Sequence, residues 1–263
     1  MSERYVIPSL DRAIQVLALL ADRHQGLSLA DLGRTSGIPK STLFRILVTM
    51  QRHRFVLWND DLRAYQLGSR LSELGTSFLE QNDVYHAAAR YMKGLADASG
   101  ETVFLGKLEE GKVLYLRRME SPRSVTVVKK LGQRVPAHCT ATGVAMLAFL
   151  TEKEVLSILD AHGMSSFNET TITDRTSFLK RLADVRRRGY AIVDGEYNKE
   201  LLCVSAPVFD FTRRPVASLT VAMLAGRGIS DKRLDSVAEM VCDSALGFSH
   251  DLGHTETPTL TTT

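Results

Sequence analysis

Apolar side chains recur every three or four positions between residues 10 and 21, which is the repeat of one face of a helix. Ser28 begins a second segment of this kind, and Asp31, three residues further on, is its expected capping partner. Pro39 suits the first turn of a third helix, which we expect to end near Met50. The pattern therefore predicts three short helices within the first fifty residues.

A hairpin is predicted directly after these helices. Two short apolar segments, residues 55–58 and 64–68, flank the turn-forming sequence Asn-Asp-Asp at 59–61. Three helices followed by a hairpin indicate a winged helix-turn-helix. A further helix over residues 69–79 is predicted to be a linker, and the polar residues 81–83 mark the expected domain boundary.

The remainder of the chain mixes helical and alternating patterns, which is typical of an α+β domain with a mostly antiparallel sheet. Gly189 and the three arginines before it favour a helix C-terminus. We expect a winged helix-turn-helix domain with its linker helix over residues 1–80, an α/β effector-binding domain over 81–253 and a disordered, threonine-rich tail over 254–263. The predicted strands are 102–108, 113–117, 124–128, 203–209 and 216–223, and the predicted helices begin near residues 84, 140, 151, 177 and 230.

Composition says more about the cellular compartment of the protein than about its function. The formal charge is +3 and 44% of the residues are hydrophobic, so a sizeable core is possible and the net charge decides little. The longest apolar run, 144–150, is too short to span a bilayer, and the first residues lack an apolar signal core. Three widely spaced cysteines fit a reducing compartment. We expect a cytoplasmic protein with no membrane partner.

The distribution of charge points to double-stranded DNA as a partner. Residues 33–58 contain no acidic side chain, and duplex DNA repels carboxylates while it rewards lysine and arginine. The third helix presents one apolar face for the core and a second, polar and basic face for a DNA groove. At the hairpin tip only Arg63 is expected to contact the DNA phosphate backbone, because the carboxylates of Asp60 and Asp61 would be repelled by phosphates. The candidate DNA-binding residues are Ser28, Arg34, Lys40, Ser41, Thr42, Phe44, Arg45, Arg54 and Arg63.

An ordered series of short motifs runs along nearly the whole chain, and it resembles the IclR family of bacterial transcriptional regulators. The motifs are SLDRA (9–13), GIPKSTLFRIL (37–47), YQLG (65–68), VPAHCTATG (135–143), GYA (189–191) and CVSAPV (203–208). The resemblance implies homodimers built through the N-terminal domain and linker, often paired into dimers of dimers. It also implies a GAF-like effector domain with a six-stranded sheet, no cofactor, and control of catabolic genes by repression or activation.

The resemblance further implies a pocket for a small, carboxylated metabolite. A ligand carboxylate would lie at the start of the helix near residue 140, while Asp194 and Glu196 would accept hydrogen bonds from ligand hydroxyls. The sequence departs from the family pattern at Val144, Glu200 and Ala222, which bears on the identity of the ligand. The implied effector-binding residues are His138, Cys139, Thr140, Ala141, Thr142, Asp194, Glu196, Cys203, Ser205 and Thr220.

Two alternatives give the cysteines a chemical role. A metal or thiol redox sensor would use Cys139 and Cys203, although the spacing matches no standard zinc pattern. A thiol-dependent enzyme would need His138 to act as base for Cys139, but neighbouring residues on an extended loop point in different directions. The motifs of serine hydrolases, P-loop proteins, zinc proteases and dinucleotide enzymes do not occur in the sequence. The sequence favours a regulator that is not an enzyme.

Overall fold

The computed structural model describes residues 5–23, 25–80, 83–120 and 131–255. The chain divides into two compact units, Met1–Gln81 and Asn82–Thr263. The strand expected at 124–128 lies outside the described residues. No helix in the described ranges is both long and apolar enough to cross a membrane.

The N-terminal unit is a winged helix-turn-helix, as the sequence predicts. The inner faces of its first three helices meet in a core where Val16, Leu32, Leu43 and Leu47 are fully buried. The two strands that follow pair antiparallel to form the wing. In chain order the elements are α1 (Pro8–Ala21), α2 (Leu29–Ser36), α3 (Lys40–Arg52), β1 (Val56–Asn59), β2 (Ala64–Leu67) and α4 (Arg70–Glu80).

The C-terminal unit is built on an antiparallel sheet in which six strands are described, in the order β5-β4-β3-β8-β7-β6. The fold confirms the predicted α+β class. The elements are α5 (Asp83–Ser99), β3 (Thr102–Glu109), β4 (Lys112–Met119), β5 (Arg134–Pro136), α6 (Ala141–Leu147), α7 (Glu152–His162), α8 (Arg175–Arg188), β6 (Ala191–Asp194), β7 (Leu201–Phe209), β8 (Pro215–Leu224) and α9 (Asp231–Asp251).

Helices cover both faces of this sheet, because its strands bury side chains on each side in turn. On one face Phe104 and Val193 contribute to a core beneath α6, α7 and α8. On the other face Leu105, Val204 and Leu219 contribute to a core beneath α5 and α9. The two outermost strands of the described sheet, β5 and β6, were not predicted as strands.

The end of the second unit differs from the expected tail. His254 is buried, and its ring stacks on Phe209 with 5.1 Å between ring centroids. Residue 254 therefore belongs to the folded domain, because an aromatic contact and a backbone hydrogen bond to Ser249 hold it there. The rest of the expected tail from residue 256 onward lies outside the described residues.

Candidate DNA interface and effector cavity

A capping serine begins α2, and a glycine ends it at the turn into α3. Ser28 precedes α2, and its hydroxyl oxygen accepts a hydrogen bond from the Asp31 N–H at 3.1 Å. Gly37 ends α2 with φ +67°, a conformation that side chains with a Cβ adopt reluctantly. Pro39 then precedes the first residue of α3. The sequence thus fixes the angle at which α3 leaves the turn.

The third helix divides into a buried face and an exposed face, in agreement with the predicted division. Leu43, Ile46, Leu47 and Met50 are buried. The opposite side carries two apolar side chains that remain exposed, Phe44 at 51% and Val48 at 47%. Exposed apolar groups beside cations suit contacts to thymine methyls in a major groove. The other exposed side chains on α3 are Lys40, Ser41, Arg45, Thr49, Gln51 and Arg52.

The cations of the N-terminal unit fall into two groups. Arg34 is paired with Asp31 on its own helix, and Arg54 lies 3.6 Å from a carboxylate oxygen of Glu73. Lys40, Arg45, Arg52 and Arg63 form no ion pair with any residue in the described ranges. These four side chains keep their full positive charge for an external anion. Arg54, just before β1, and Arg63, in the turn between β1 and β2, also adopt positive φ values of 60° and 45°.

One of the two acidic residues at the wing tip is used locally. Asp60 accepts a hydrogen bond from the Trp58 indole N–H at 2.9 Å, and Asn59 accepts one from the Leu62 N–H. Asp60 therefore has a partner inside the wing, while Arg63 points from the same turn without an acidic partner among the described residues. This arrangement leaves Arg63 as the basic group of the wing tip.

The second candidate site lies at the start of α6. All residues of this helix, 141–147, are buried. The first N–H groups of any helix have no acceptor inside the helix, so buried ones need a partner from outside it. A small cavity lies against this first turn. The centre of a water molecule can occupy about 20 Å³ of it, which is room for a single water. The cavity is lined by Cys139, Thr140, Ala141, Val193, Glu196, Tyr197, Asn198, Leu201 and Cys203.

Three of the predicted hydroxyl residues lie behind this cavity rather than on its wall. Thr142 and Thr220 are joined by a 2.7 Å hydrogen bond, and Thr220 and Ser205 by one of 2.8 Å. Ser205 also bonds Ser218. The four hydroxyls form a buried chain between α6 and the sheet, so they satisfy one another in the absence of any ligand.

The charges at the cavity differ from those expected. Glu196 is buried in its wall, and both of its carboxylate oxygens lie within 2.9 Å of Arg181 on α8. Arg181 is 13% exposed and also donates to the Ile192 carbonyl. Sequence reasoning missed Arg181, because a basic residue on an amphipathic helix is ordinarily solvated. Asp194 does not line the cavity: it is exposed and, by strand alternation, lies on the face of β6 opposite Val193.

His138 lies next to the cavity without lining it. Its Nε2 is 3.0 Å from the Ser165 carbonyl oxygen, and the ring lines a neighbouring crevice beside α7. Burial lowers the pKa of His138 below its ordinary value, because the charged imidazolium is poorly solvated there. His138 is therefore neutral at neutral pH and positions the loop before α6.

Two loops close the cavity on its outer side. The Asn168 amide donates to the carbonyls of Gly195 and Glu196 at 2.7 and 3.1 Å, and the Thr171 hydroxyl donates to the Glu196 carbonyl. Phe167 packs edge-on against Tyr197. Residues 165–171 thus fasten the segment 195–199, which forms the outer wall.

Cys139 and Cys203 line the same cavity, and both are buried. Within the ranges that the structure describes, no group of three or more His, Cys, Asp or Glu side chains is arranged to hold a metal ion. This geometry gives the metal-sensor alternative no ligand set among those residues.

Comparison with known families decides what the two units are. A model of the IclR helix-turn-helix domain matches residues 9–60, and a model of the C-terminal domain of the bacterial transcriptional regulator IclR matches residues 76–250. The second match alone covers more than half of the chain. This chain belongs to the IclR family. It is a DNA-binding regulator of transcription and not an enzyme.

Similar IclR-family proteins align over almost the full length. The HTH-type transcriptional regulator XynR of Escherichia coli K12 is 29% identical over 249 residues, which cover 95% of this chain and 98% of XynR. A solved regulator from Alicyclobacillus acidocaldarius is 29% identical, with a TM-score of 0.82 over 94% of this chain and 99% of that one. An IclR homologue from Microbacterium hydrocarbonoxydans shares the fold at 22% identity, with a TM-score of 0.81 over 94% of this chain and 100% of its own.

Proposed function

We propose that α3 reads the major groove of an operator and that the wing contacts the flanking phosphates. The observation that carries this is the exposed face of α3, where Lys40 and Arg45 lack acidic partners among the described residues and Phe44 lies exposed between them. Arginine binds guanine edges with two hydrogen bonds, and the helix start accepts a phosphate. Ser41 and Thr42 in the first turn add hydroxyls toward phosphates or base edges.

The remaining predicted contacts have weaker support in the geometry. The Ser28 hydroxyl already caps α2, so any contact that it makes with DNA is in addition to its bond with the Asp31 N–H. Arg34 and Arg54 are each shared with a carboxylate, Asp31 and Glu73, which lowers their net attraction for phosphate. We assign these three residues to phosphate contacts at most.

Replacing Arg45 with alanine tests the recognition helix. We expect Arg45→Ala to weaken operator binding by roughly 1–3 kcal/mol and to relax base preference, as the loss of one bidentate base contact does. Binding to operator and scrambled duplexes is measured at one fixed salt concentration. Arg187→Ala, an exposed arginine in the other unit, is the matched control. Unchanged affinity and specificity in Arg45→Ala contradict the assignment.

The cavity at the start of α6 is our proposed effector site, and its ligand is a small carboxylated metabolite. The supporting observation is a helix start that is wholly buried and faces this cavity, because buried helix N–H groups favour an anionic oxygen. Glu196 does not oppose an anion strongly, since Arg181 neutralises it. The Microbacterium homologue is complexed with 4-hydroxybenzoate, itself a carboxylate, although that likeness shows the fold alone.

The cavity must widen to admit a metabolite. Ligand pockets generally enclose about 300–1,000 Å³, far more than the present space beside α6. The movable wall is the segment 195–199, since it is fastened to residues 165–171 mainly by hydrogen bonds at Asn168 and Thr171. A ligand that binds the open arrangement more tightly than the closed one shifts the balance between them. The difference between its two binding free energies sets how far operator affinity can change.

Calorimetry on the full chain with matched acids and amides tests this site. We expect benzoate or a sugar acid to bind, and benzamide or the neutral sugar not to bind. Glu196→Gln leaves Arg181 unpaired beside the cavity, so the acid should bind more tightly to it. Asp194→Asn, which removes an exposed carboxylate on the other face of β6, should change nothing. Binding of uncharged or cationic compounds alone contradicts the proposal.

We further propose a cytoplasmic homodimer, able to pair into a dimer of dimers, on a palindromic operator. Support comes from an exposed apolar patch on and before α1, formed by Tyr5, Val6, Ile7, Leu10 and Ile14. Contiguous exposed apolar side chains of this kind mark interaction surfaces. Two-fold symmetry would place two recognition helices about one DNA turn apart or a multiple of it.

A further inference from the structure

A second, larger cavity lies at the edge of the sheet, remote in sequence from the start of α6. It measures about 300 Å³, which is the lower end of the range for small-molecule sites. β6 pairs with β7 only as far as Ser205, so among the described residues no strand pairs with the following part of β7 on that side. The cavity occupies this place, between β7, the end of α8 and the second half of α9. It shares no lining residue with the cavity at α6.

Aromatic and aliphatic groups form most of its wall. Phe149 meets Phe209 edge-on with 5.0 Å between ring centroids, and His254 stacks on Phe209. Ala206 and Pro207 complete the apolar surface along β7. Flat rings arranged in this way favour a flat, ring-shaped ligand.

Most polar groups at this cavity already have partners. Ser249 accepts from the Phe209 N–H at 2.9 Å and donates to the Ala245 carbonyl. Arg186 donates to the carbonyls of Ala148 and Leu150, at 2.6 and 2.9 Å. Arg187 is paired with Asp184 at 3.2 Å. Both arginines therefore already donate to protein groups, Arg187 to a carboxylate and Arg186 to two neutral carbonyls.

One buried polar atom is the exception. Nδ1 of His254 has no hydrogen-bond partner within the described residues, although the residue is only 8% exposed. Buried polar atoms are bonded in the great majority of cases, so an unpaired one at a cavity indicates a missing partner. A hydroxyl can donate to or accept from an imidazole nitrogen, so it fits whichever tautomer His254 adopts.

We propose that this cavity binds a small, uncharged ring compound that carries one hydroxyl group, such as a phenol. The rings of Phe149 and Phe209 contact the ligand ring, and His254 Nδ1 bonds the hydroxyl. The cavity's thiol, Cys242, stays neutral in this setting, because burial raises its pKa to about 11. An acid is disfavoured, since the exposed carboxylate of Asp243 lines the cavity and Arg187 is already paired with Asp184. This inference is independent of the carboxylate site.

Calorimetry with phenol and toluene on the full-length protein tests the proposal. We expect saturable binding of phenol, with toluene at least about tenfold weaker, because toluene leaves His254 Nδ1 without a partner. His254→Phe keeps the stacked ring and should reduce phenol to the level of toluene. His250→Phe, an exposed position four residues earlier, is the matched control. Absence of saturable phenol binding, or equal binding of toluene, overturns the proposal.

A second measurement locates the site in the unaltered protein. Phenol at about ten times its Kd should slow alkylation of Cys242 roughly tenfold, as expected when the free fraction limits the reaction. Alkylation is followed for this residue by peptide mass spectrometry. Phenol binding without protection of Cys242 would place the ligand elsewhere and overturn the assignment.

Discussion

Single residues fix the backbone at the proposed effector site, and Gly143 shows this most directly. A Cβ on Gly143 would lie 2.2 Å from the Ala137 carbonyl oxygen and 2.4 Å from the Ala137 Cα. Both atoms belong to the backbone, so they cannot move aside as a flexible side chain would. The missing side chain lets α6 turn directly beneath the loop that carries His138 and Cys139.

We expect Gly143→Ala to destabilise the second unit by about 1–3 kcal/mol, the usual cost of overpacking. Thermal unfolding of the full chain by calorimetry measures the change. Gly94→Ala is the control, because this position in α5 has no neighbour within 4 Å of an added Cβ. Alanine should leave stability there unchanged or raise it slightly, since glycine inside a helix costs about 1 kcal/mol. Equal effects at both positions would contradict the steric argument.

The residue scale also shows what the sequence could specify. The buried side of α3 follows from its spacing alone, and Phe44 and Val48 stand out as apolar positions on the other side. Ion pairing could not be foreseen, because it depends on rotamers and on distant residues. Glu196 was expected as a free acceptor, but Arg181 lies fifteen residues away on another element and neutralises it.

At the scale of elements, long periodic segments were predictable and short edge strands were not. α9 and β7 were predicted within a few residues of their observed bounds. β5 has three residues and β6 has four, too few for an alternating pattern to emerge. The error at Asp194 follows from this, because the face of a side chain is undefined until its strand is known.

The arginines at the end of α8 show a second limit. They were expected to cap their own helix, and Gly189 does end α8 in the left-handed conformation. Arg186, however, donates to the carbonyls of Ala148 and Leu150, just after α6. Arg186 of α8 therefore stabilises the C-terminal end of α6 and not that of its own helix. A contact between helices that are distant in sequence cannot be predicted from a local sequence pattern.

The helix predicted to begin near residue 151 is confirmed as α7, and the capping box at its start makes a pH-dependent contribution to stability. The Thr151 N–H and hydroxyl bond the Glu154 carboxylate, Arg214 adds a third bond, and the pKa of Glu154 falls to about 2. A carboxyl whose pKa is lower in the folded state stabilises the fold above its unfolded pKa. That contribution is lost as the pH falls from about 4.5 toward 2.

We expect Thr151→Ala to move the pKa of Glu154 back toward its ordinary value. The variant keeps the backbone N–H but loses the hydroxyl that fixes the carboxylate, and its loss as a cap should cost about 1 kcal/mol. NMR titration of the Glu154 side chain measures the pKa directly. Ser157→Ala, a hydroxyl deletion at an exposed position on the same helix, should leave it unchanged. An unaltered pKa in Thr151→Ala would show that the residue 151 N–H and Arg214 hold the carboxylate without the hydroxyl.

At the scale of the whole molecule, the two units separate two kinds of chemistry. The N-terminal unit exposes unpaired cations and apolar groups on α3, while the C-terminal unit buries its polar groups beneath α6 and along the sheet. A regulator needs the two to be coupled, and a symmetric dimer is the simplest assembly in which a change within each C-terminal unit alters the spacing of two recognition helices.

The apolar patch on α1 is where we expect that dimer to form. Ile7, Leu10 and Ile14 are 62%, 57% and 58% exposed, and their spacing places them along one side of the helix. Ile14→Glu would bury a charge in the interface, so we expect a shift from dimer to monomer in sedimentation, with unchanged helix content by circular dichroism. Phe211→Glu makes the same kind of change at a 75% exposed side chain in the other unit and should leave the dimer intact.

The monomeric variant should bind a palindromic operator no more tightly than a single half-site, because the gain from two linked recognition helices is lost. A variant that stays dimeric, or a wild-type monomer that binds one half-site tightly, would show that α1 does not carry the assembly.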